Sequence, residues 1–431
     1  MHFKRRIFNE LLRWKNNKFR LPLILKGARQ VGKTVLIKEF GKEFKNIHEF
    51  NFQKDHILKT FFKTTNNPKK ILETLEIYSE KKISLENDLI FFDEIQDCPE
   101  ALNSLKFFAE DLPHSYIISA GSLLGIYLSD HSFPVGKVEF LHLYPMSFGE
   151  FLEACNKKAL AEKLEILSLE NNTFHDLFIE EMKKFFVLGG MPKVISTFIE
   201  NDDYQKAREI QDDLLVSYKG DFAKYSGPVY ALKILSVFEN IPRQLAKDNR
   251  KFQFNLLQTG GRFGDFNSAI DWLVHAGLCY KIPIIEHAEI PLSIHVKENI
   301  FKLYFFDIGL LGALSNLPLS TFLLKNELFK TFKGAFTENF FLQEFTSQRN
   351  KRLYCWQGKN SEVDFLYNEE LTLVPIEIKS GESGKLKSLG VFSSKYPCPW
   401  KIRCSLHSYE IQERSKLKTI PLYMAAQIER V

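Results

Sequence analysis

The sequence feature that most constrains the fold is a short glycine-containing stretch, residues 27–34, which reads GARQVGKT and fits G-x-x-x-x-G-K-[ST]. An apolar run at residues 21–25 precedes it, and a helical pattern beginning at Val35 follows it. This strand–loop–helix context predicts a phosphate-binding loop, whose backbone N–H groups point inward at a helix N-terminus. Lys33 is expected to reach the terminal phosphates, and the Thr34 hydroxyl to ligate Mg²⁺. The residues predicted to bind the nucleotide are Gly27, Ala28, Arg29, Gln30, Val31, Gly32, Lys33 and Thr34.

A second motif lies about sixty residues further on, where an apolar run at 89–92 ends in Asp93 and Glu94. We expect Asp93 to hold the Mg²⁺ through its hydration shell and Glu94 to orient and polarise the attacking water. The alternative is a chance match, which a pattern this restrictive produces in roughly one chain in a hundred of this size. An acidic pair placed at the end of an apolar strand lowers that fraction further. The two motifs together predict a Mg²⁺-dependent ATPase that binds ATP.

Length and composition bound the remaining possibilities. A chain of 431 residues is too long for one core and suggests about three domains. Its six Cys form no C-x-x-C pair, which is typical of reduced thiols, and no stretch approaches eighteen consecutive apolar residues. The net charge of +5 is too small to indicate a nucleic-acid partner by itself. We therefore expect a cytoplasmic protein without a membrane partner.

Residues 1–150 are predicted to form the ATPase core. Strand-like runs at 21–25, 47–52, 89–92, 116–119 and 138–143 alternate with helical patterns. Such alternation predicts a parallel sheet with helices on both faces. Ligands bind at the carboxyl ends of the strands in sheets of this kind, and Gly27, Asp93 and Ser119 all fall there.

The middle of the chain changes to long amphipathic helices. Residues 151–226 contain a turn with the sequence Gly-Gly-Met-Pro at 189–192, which breaks the helical pattern. A helical lid over the nucleotide fits this segment. Residues 227–328 read as helices, the last at 266–277, followed by strands at 279–285 and 301–307. This order predicts a winged helix, which serves either as a DNA-binding or as a protein-docking module.

The last predicted domain, residues 329–431, begins with a helix at 334–349. Predicted strands follow at 353–356, 362–367 and 371–379. Because side chains alternate along a strand, Glu377 and Lys379 share one face, and an antiparallel neighbour can bring Asp364 beside them. Two such carboxylates can bind Mg²⁺, a lysine can stabilise the transition state, and Glu338 could add a third carboxylate. This arrangement is that of the restriction-endonuclease-like fold of the PD-(D/E)xK nucleases; the alternative is a cross-strand ion pair.

The whole chain resembles prokaryotic AAA+ family ATPases, related to the archaeal STAND-like ATPases, that carry a C-terminal restriction-endonuclease-like domain of unknown function. Several of the motifs that carry the resemblance have no obvious chemistry of their own. They are GARQVGKT at 27–34, FDEIQ at 92–96, SAGSLL at 119–124, FPVGK at 133–137, LYPMSF at 143–148, GGMP at 189–192, DFAKY at 221–225, IPRQLA at 241–246, VDF at 363–365 and IEIKSG at 376–381.

The resemblance implies further roles for individual residues. It identifies 119–122 as the sensor-1 strand end, with Ser122 or Ser119 contacting the γ-phosphate or the attacking water, and places the 189–192 turn in the lid. Relatives often have Arg where this chain has Lys137, and a lysine lacks the planar fork of a trans-acting arginine. Sites of this kind usually receive a cation from a neighbour, so the resemblance implies a homo-oligomer.

Two functions compete at this point. In the first, the protein is a DNA-associated ATPase that acts on double-stranded DNA, with a nuclease-like C-terminal domain. In the second, it is a nucleotide-controlled signalling switch that binds a protein partner, and the C-terminal domain is catalytically inactive. The phosphate-binding loop is common to both functions.

Overall fold

The computed structural model describes residues 2–122, 136–166, 169–247, 249–323, 330–348, 351–380 and 386–430. The chain divides into two compact units. The first comprises Met1–Tyr144 with His275–Gly277, and the second comprises Pro145–Val274 with Leu278–Val431. Residues 123–124, 133–135 and 381 of the resemblance motifs lie outside the described residues, as does the predicted boundary at 328/329.

The first unit is an α/β layer structure built on a parallel sheet. Its strands lie in the order β2-β3-β4-β1-β5, and every neighbouring pair is parallel. The parallel sheet predicted from the alternating pattern is therefore confirmed. The elements are α1 (Phe8–Asn16), β1 (Leu23–Lys26), α2 (Lys33–Phe40), β2 (Asn46–Asn51), α3 (Ile57–Thr64), α4 (Pro68–Ser79), β3 (Asp88–Asp93), α5 (Pro99–Asp111), β4 (Tyr116–Ala120) and β5 (Glu139–His142).

One face of this sheet packs on an aromatic core. Phe92 of β3 lies at its centre, with its ring centroid 5.5–6.2 Å from those of Phe50, Phe52, Phe62 and Phe108. These side chains come from β2 and its following residue, from α3 and from α5, so one cluster joins the sheet to the helices above it. Burying each ring contributes about 1.5–3 kcal/mol. The cluster therefore fixes β3, and with it the acidic pair at its end.

The second unit holds a helical region and a long mixed sheet. None of its helices, nor any other helix among the described residues, is long and apolar enough to cross a membrane. The elements are α6 (Phe148–Ala154), α7 (Lys158–Leu164), α8 (His175–Leu188), α9 (Pro192–Asn201), α10 (Tyr204–Ser226), α11 (Pro228–Leu245), α12 (Phe263–His275), β6 (Cys279–Ile285), β7 (Phe301–Phe305), α13 (Ile308–Leu314), α14 (Ser320–Leu323), α15 (Lys330–Gln348), β8 (Tyr354–Gln357), β9 (Glu362–Glu369), β10 (Thr372–Lys379), α16 (Lys387–Lys395), β11 (Lys401–Ser405), β12 (Glu410–Gln412) and β13 (Leu417–Pro421).

The hairpin predicted as a wing and the C-terminal strands belong to one sheet. Its strand order is β12-β13-β11-β10-β9-β8-β6-β7, and β6 pairs in parallel with β8 through Ile284 and Cys355. The sequence pattern predicted β6 to β10 but none of β11, β12 and β13, and it placed β6 and β7 in a different domain from β8. An apolar pattern identifies a strand without identifying its neighbour, because pairing depends on tertiary packing. The predicted four-domain division stays a prediction.

The Gly-Gly-Met-Pro turn has a packing explanation. The backbone N–H of Gly190 donates to the Asp307 carboxylate at 2.6 Å. A Cβ on Gly189 would lie 2.2 Å from that carboxylate, and a Cβ on Gly190 would lie 2.2 Å from the Met146 carbonyl oxygen. Only glycine permits these approaches. The turn predicted as part of a lid thus anchors α8 and α9 to the start of α13.

Candidate functional site

The phosphate-binding loop connects β1 to α2 in the first unit. Its two motif glycines have positive φ angles, +151° at Gly27 and +97° at Gly32, which L-residues rarely adopt. A Cβ on Gly27 would also lie 2.2 Å from the carbonyl oxygen of Leu143. Both glycines are therefore required by the backbone, and the loop delivers its N–H groups to the start of α2.

Lys33 is buried in the first turn of α2 and lies back against the loop. Its ammonium donates to the carbonyl oxygens of Gly27 at 2.9 Å and Ala28 at 2.8 Å. Burial lowers the pKa of Lys33 to about 8, although the nearby carboxylates of Glu94 and Asp93 oppose this shift. The ammonium can exchange two neutral carbonyls for charged phosphate oxygens, which are stronger acceptors.

The Thr34 hydroxyl and the Asp93 carboxylate lie together. The Thr34 Oγ1 is 3.2 and 3.3 Å from the two carboxylate oxygens. Asn51, the last residue of β2, donates to the same carboxylate at 2.9 Å. Burial and the charge of Glu94 raise the pKa of Asp93, while these hydrogen bonds lower it. A hydroxyl and a carboxylate at one point form a set of hard oxygen donors that suits Mg²⁺.

Asn51 was not singled out from the sequence, although a signal for it exists. It is a polar residue at the carboxyl end of a strand, and β2 is the direct neighbour of β3, with Asn51 in register with Asp93. Sequence reasoning gave the strand but not this neighbour. Asn51 therefore acts on the site by positioning the Asp93 carboxylate.

Glu94 stands at a strained turn directly after β3. Its backbone is left-handed, with φ +51° and ψ +45°. Such a conformation in a non-glycine residue costs on the order of 1 kcal/mol and is often found at functional sites. Gln96 Nε2 donates to the Glu94 carboxylate at 2.6 Å and fixes its direction. The turn thus holds one acidic side chain apart from its neighbour Asp93.

The sheet register separates the two serines of the predicted sensor stretch. Ser119 is in register with Ile24 and Phe92, whereas Asp93 is in register with Ala120. Because side chains alternate along a strand, Ser119 lies on the core face with Phe92, opposite to Asp93. Its buried hydroxyl has no hydrogen-bond partner within the described part of the chain. Ser122, which follows the strand end, remains the better candidate for a phosphate contact.

His142, at the end of β5, is a second residue that sequence reasoning missed. Its ring stacks on Tyr144 with centroids 4.1 Å apart and planes 4° apart. Burial lowers the pKa of His142 to about 4, and the positive charges of Lys33 and Lys26 add to the effect. The imidazole is thus neutral at pH 7. A polar residue at the carboxyl end of the strand next to β1 was the available signal.

Lys137, the position where relatives often have Arg, forms an ion pair in the first unit. Its ammonium lies 3.1 Å from the Glu110 carboxylate. Both side chains are substantially exposed, so the pair contributes little to stability. The Lys137 ammonium thus contacts a carboxylate of its own chain.

The predicted nuclease-like residues do come together in the second unit. Asp364 on β9 accepts a hydrogen bond from the Ile378 N–H on β10 at 2.8 Å. Lys379 donates to the Glu377 carboxylate at 2.5 Å. Glu338 of α15 accepts from the Tyr304 hydroxyl at 2.7 Å.

Two cations absent from the sequence prediction join these residues. The Arg250 guanidinium pairs with Glu338. The fully buried ammonium of Lys302, on β7, lies 2.5 Å from Glu362, 3.8 Å from Glu338 and 4.0 Å from Asp364. A lone lysine inside the apolar strand at 301–305 was the signal for this group, because buried charges need partners. We call these eight residues the carboxylate cluster: Arg250, Lys302, Tyr304, Glu338, Glu362, Asp364, Glu377 and Lys379.

The predicted metal ligands Asp364, Glu377 and Glu338 do not fit a metal ion as they are arranged. Burial raises the pKa of Asp364 well above its usual range, and the neighbouring Glu338 and Glu377 add to this shift. Burial also raises the pKa of Glu377, although Lys379 opposes it. Arg250 and Lys302 outweigh burial at Glu338 and lower its pKa. Among the residues that the structure describes, no group of three or more His, Cys, Asp or Glu side chains could hold a metal.

Three family models match consecutive parts of the chain. Residues 20–152 match an AAA domain. Residues 179–321 match a domain of unknown function, DUF8612, and residues 333–424 match another, DUF4143. A search of curated proteins found no match.

The chain is similar to several solved structures, each of which shares little sequence with it. The Walker-type ATPase PABY2304 of Pyrococcus abyssi is 16% identical, with 73% of this chain and 96% of that chain covered and a TM-score of 0.45. A signal transduction ATPase with numerous domains, PH0952 from Pyrococcus horikoshii, is 14% identical, with 81% and 49% covered and a TM-score of 0.29. AMPPCP-bound DnaA from Aquifex aeolicus is 14% identical, with 62% and 86% covered and a TM-score of 0.30.

The family match and the geometry of the loop concern the same segment. Residues 20–152 carry the match, and β1, the loop and α2 lie inside that range on a five-stranded parallel sheet. The first unit of this protein is therefore a nucleotide-binding P-loop ATPase domain of the AAA type.

Proposed function

We propose that the protein binds ATP together with Mg²⁺ and hydrolyses it at the carboxyl edge of the first sheet. The observation that carries this proposal is the placement of Lys33, Thr34 and Asp93 at one end of the loop. Residues 27–34 bind the phosphates, and Lys33 contacts the terminal ones. Thr34 and Asp93 hold the Mg²⁺, which neutralises phosphate charge.

Two residues carry the hydrolytic step in this proposal. Glu94 orients and polarises the attacking water, and its carboxylate is already directed by Gln96. Ser122 contacts the γ-phosphate from the end of β4. Water attack on the terminal phosphorus breaks the bond to the bridging oxygen and releases ADP and phosphate. A neighbouring copy in a homo-oligomer supplies the additional cation.

Steady-state ATP turnover tests this proposal. Glu94→Gln keeps the shape of the side chain but removes its charge, so ATP stays bound while turnover falls by about 10²-fold or more. Turnover at the parent rate in this variant would assign the water-positioning role to another residue. Asp111→Asn, an exposed change at the end of α5, is the matched control and leaves the rate unchanged.

The second unit acts as a catalytically inactive module for a protein partner. This unit includes the segments predicted as a helical lid (151–226), a winged helix (227–328) and a restriction-endonuclease-like domain (329–431). The charge of two of its segments favours a protein partner over a DNA partner. The helix α12 contains Asp265 and Asp271 but neither Lys nor Arg, and the hairpin loop 286–300 contains three Glu and one Lys. Lys281 pairs with Asp271 and Lys297 pairs with Glu286, but both segments keep a net negative charge, which disfavours contact with DNA phosphates.

The competing proposal is a DNA-associated ATPase with a nuclease-like C-terminal domain. It is supported by the helix–hairpin order of residues 263–305 and by the meeting of Asp364, Glu377 and Lys379. The same turnover assay with double-stranded DNA added discriminates the two. An unchanged rate, with supercoiled plasmid left intact in Mg²⁺ or Mn²⁺, supports the protein-partner proposal. Stimulation by DNA or plasmid nicking lost in Asp364→Ala supports the DNA-associated one.

A further inference from the structure

Lys302 occupies an unusual place for a lysine. Its side chain is fully buried in β7, and its ammonium faces the carboxylates of Glu338, Glu362 and Asp364 at 3.8, 2.5 and 4.0 Å. Burying an ammonium ion costs several kcal/mol unless opposite charges compensate for it. Three carboxylates supply that compensation here. They converge on the ammonium as acidic side chains converge on a hard metal cation.

The charges of the carboxylate cluster almost cancel without any metal. Three cations, Arg250, Lys302 and Lys379, stand against four carboxyl groups. A divalent cation added to this set would create an excess of positive charge in a buried place. It would also have to displace the Lys302 ammonium, whose stem is fixed within the sheet. The four carboxyl groups in this charge count belong to Glu338, Glu362, Asp364 and Glu377.

We propose that the Lys302 ammonium holds the position of a metal cation in the carboxylate cluster, so that the protein binds no divalent cation there and removal of the ammonium opens such a site. This inference rests on the proposed inactivity of the second unit and does not involve the ATPase site. It explains why β7, the outermost strand of the sheet, carries a lysine among apolar residues. It also gives the cluster a definite role, which is to bind α15 to β7 and β9 by charge.

The test is a Mn²⁺ titration of the full-length, nucleotide-free protein by calorimetry. Lys302→Met keeps the length of the side chain and removes the charge, leaving Glu338, Glu362 and Asp364 without their shared cation. This variant is expected to bind about one equivalent of Mn²⁺ more than the parent, which binds none in the cluster. The double variant Lys302→Met with Asp364→Asn is expected to lose that binding, which separates it from any Mn²⁺ held at Asp93. Lys302→Arg, which retains a cation, is the matched control and should behave as the parent.

The Mn²⁺ titrations show whether Lys302 excludes a divalent cation from the carboxylate cluster. A folded Lys302→Met variant without Asp364-dependent Mn²⁺ binding overturns it. If that variant does not fold, the parent and Asp364→Asn are compared instead, and superimposable Mn²⁺ titrations support the inference. Mn²⁺ bound by the parent and lost in Asp364→Asn overturns it. ATP turnover is measured separately in Lys302→Met. If the variant hydrolyses ATP at the parent rate, the ATPase proposal holds even when the Mn²⁺ titrations overturn the inference about Lys302.

Discussion

At the residue scale, the site depends on one lysine whose charge is held at a cost. Lys33 is buried against the carbonyls of Gly27 and Ala28, and burial lowers its pKa to about 8. Binding of a triphosphate stabilises the protonated form, so ATP prefers the protein in which Lys33 carries its proton. Below pH 8 the free protein already has that proton. Above pH 8 binding must take up a proton, and affinity falls as the pH rises.

The expected result is a fall in ATP affinity between pH 7 and pH 9, approaching about tenfold per pH unit above 8. Calorimetry in the presence of Mg²⁺ measures it. Lys33→Arg is the matched control, because a guanidinium stays protonated throughout this range and should show little pH dependence. Equal affinity of the parent at pH 7 and pH 9 would contradict the lowered pKa of Lys33.

Residues of the site differ in how far the sequence reveals them. Lys33 and Thr34 belong to a contiguous motif, and Asp93 ends an apolar strand, so local pattern was enough to predict them. Asn51 and Lys302 act through partners 36 or more positions away along the chain. Their roles follow from which strands become neighbours, and the pattern of a single strand does not contain that information. Contacts of this kind had to come from the structure.

At the element scale, the strands of the first unit, the parallel sheet that they form and the antiparallel pair β9/β10 were predicted, whereas β11 to β13 and the pairing of β6 with β8 were not. The predicted strands at 279–285 and 362–367 correspond to β6 (Cys279–Ile285) and β9 (Glu362–Glu369). The single sheet that contains both was not predicted. The Gly-Gly-Met-Pro turn was likewise predicted as a helix junction, and its packing against Asp307 was not. Turn chemistry is local, whereas the place where a turn packs depends on the whole fold.

Gly190→Ala tests the packing of this turn. The added methyl group would lie 2.2 Å from the backbone oxygen of Met146, so we expect destabilisation by about 1–3 kcal/mol and a lower Tm. Gly220→Ala is the control, because nothing lies within 4 Å of its added Cβ in α10. It should raise stability by about 0.5–1 kcal/mol. Equal Tm values for the two variants in thermal unfolding would remove the packing role of the turn.

At the scale of the whole molecule, the protein combines an ATPase unit with a second unit that lacks a free metal site among its described residues. The AAA-type domain occupies residues 20–152, and the matches at 179–321 and 333–424 carry no assigned function. The net negative charge of α12 and the ion pairs of the carboxylate cluster are the observations behind our proposal that the second unit binds a protein partner. Both proposed functions depend on nucleotide binding at residues 27–34.

Calorimetric titration of MgATP into the parent, Lys33→Ala and Lys38→Ala tests that claim most directly. Lys38 lies on the same helix but pairs with Glu49 at 2.7 Å, away from the loop. We expect one ATP to bind per chain in the parent and in Lys38→Ala. In Lys33→Ala we expect an affinity lower by roughly 10- to 100-fold, because a charged hydrogen-bond donor to the phosphates is lost. Undiminished affinity in Lys33→Ala, or no binding by the parent, would contradict the account.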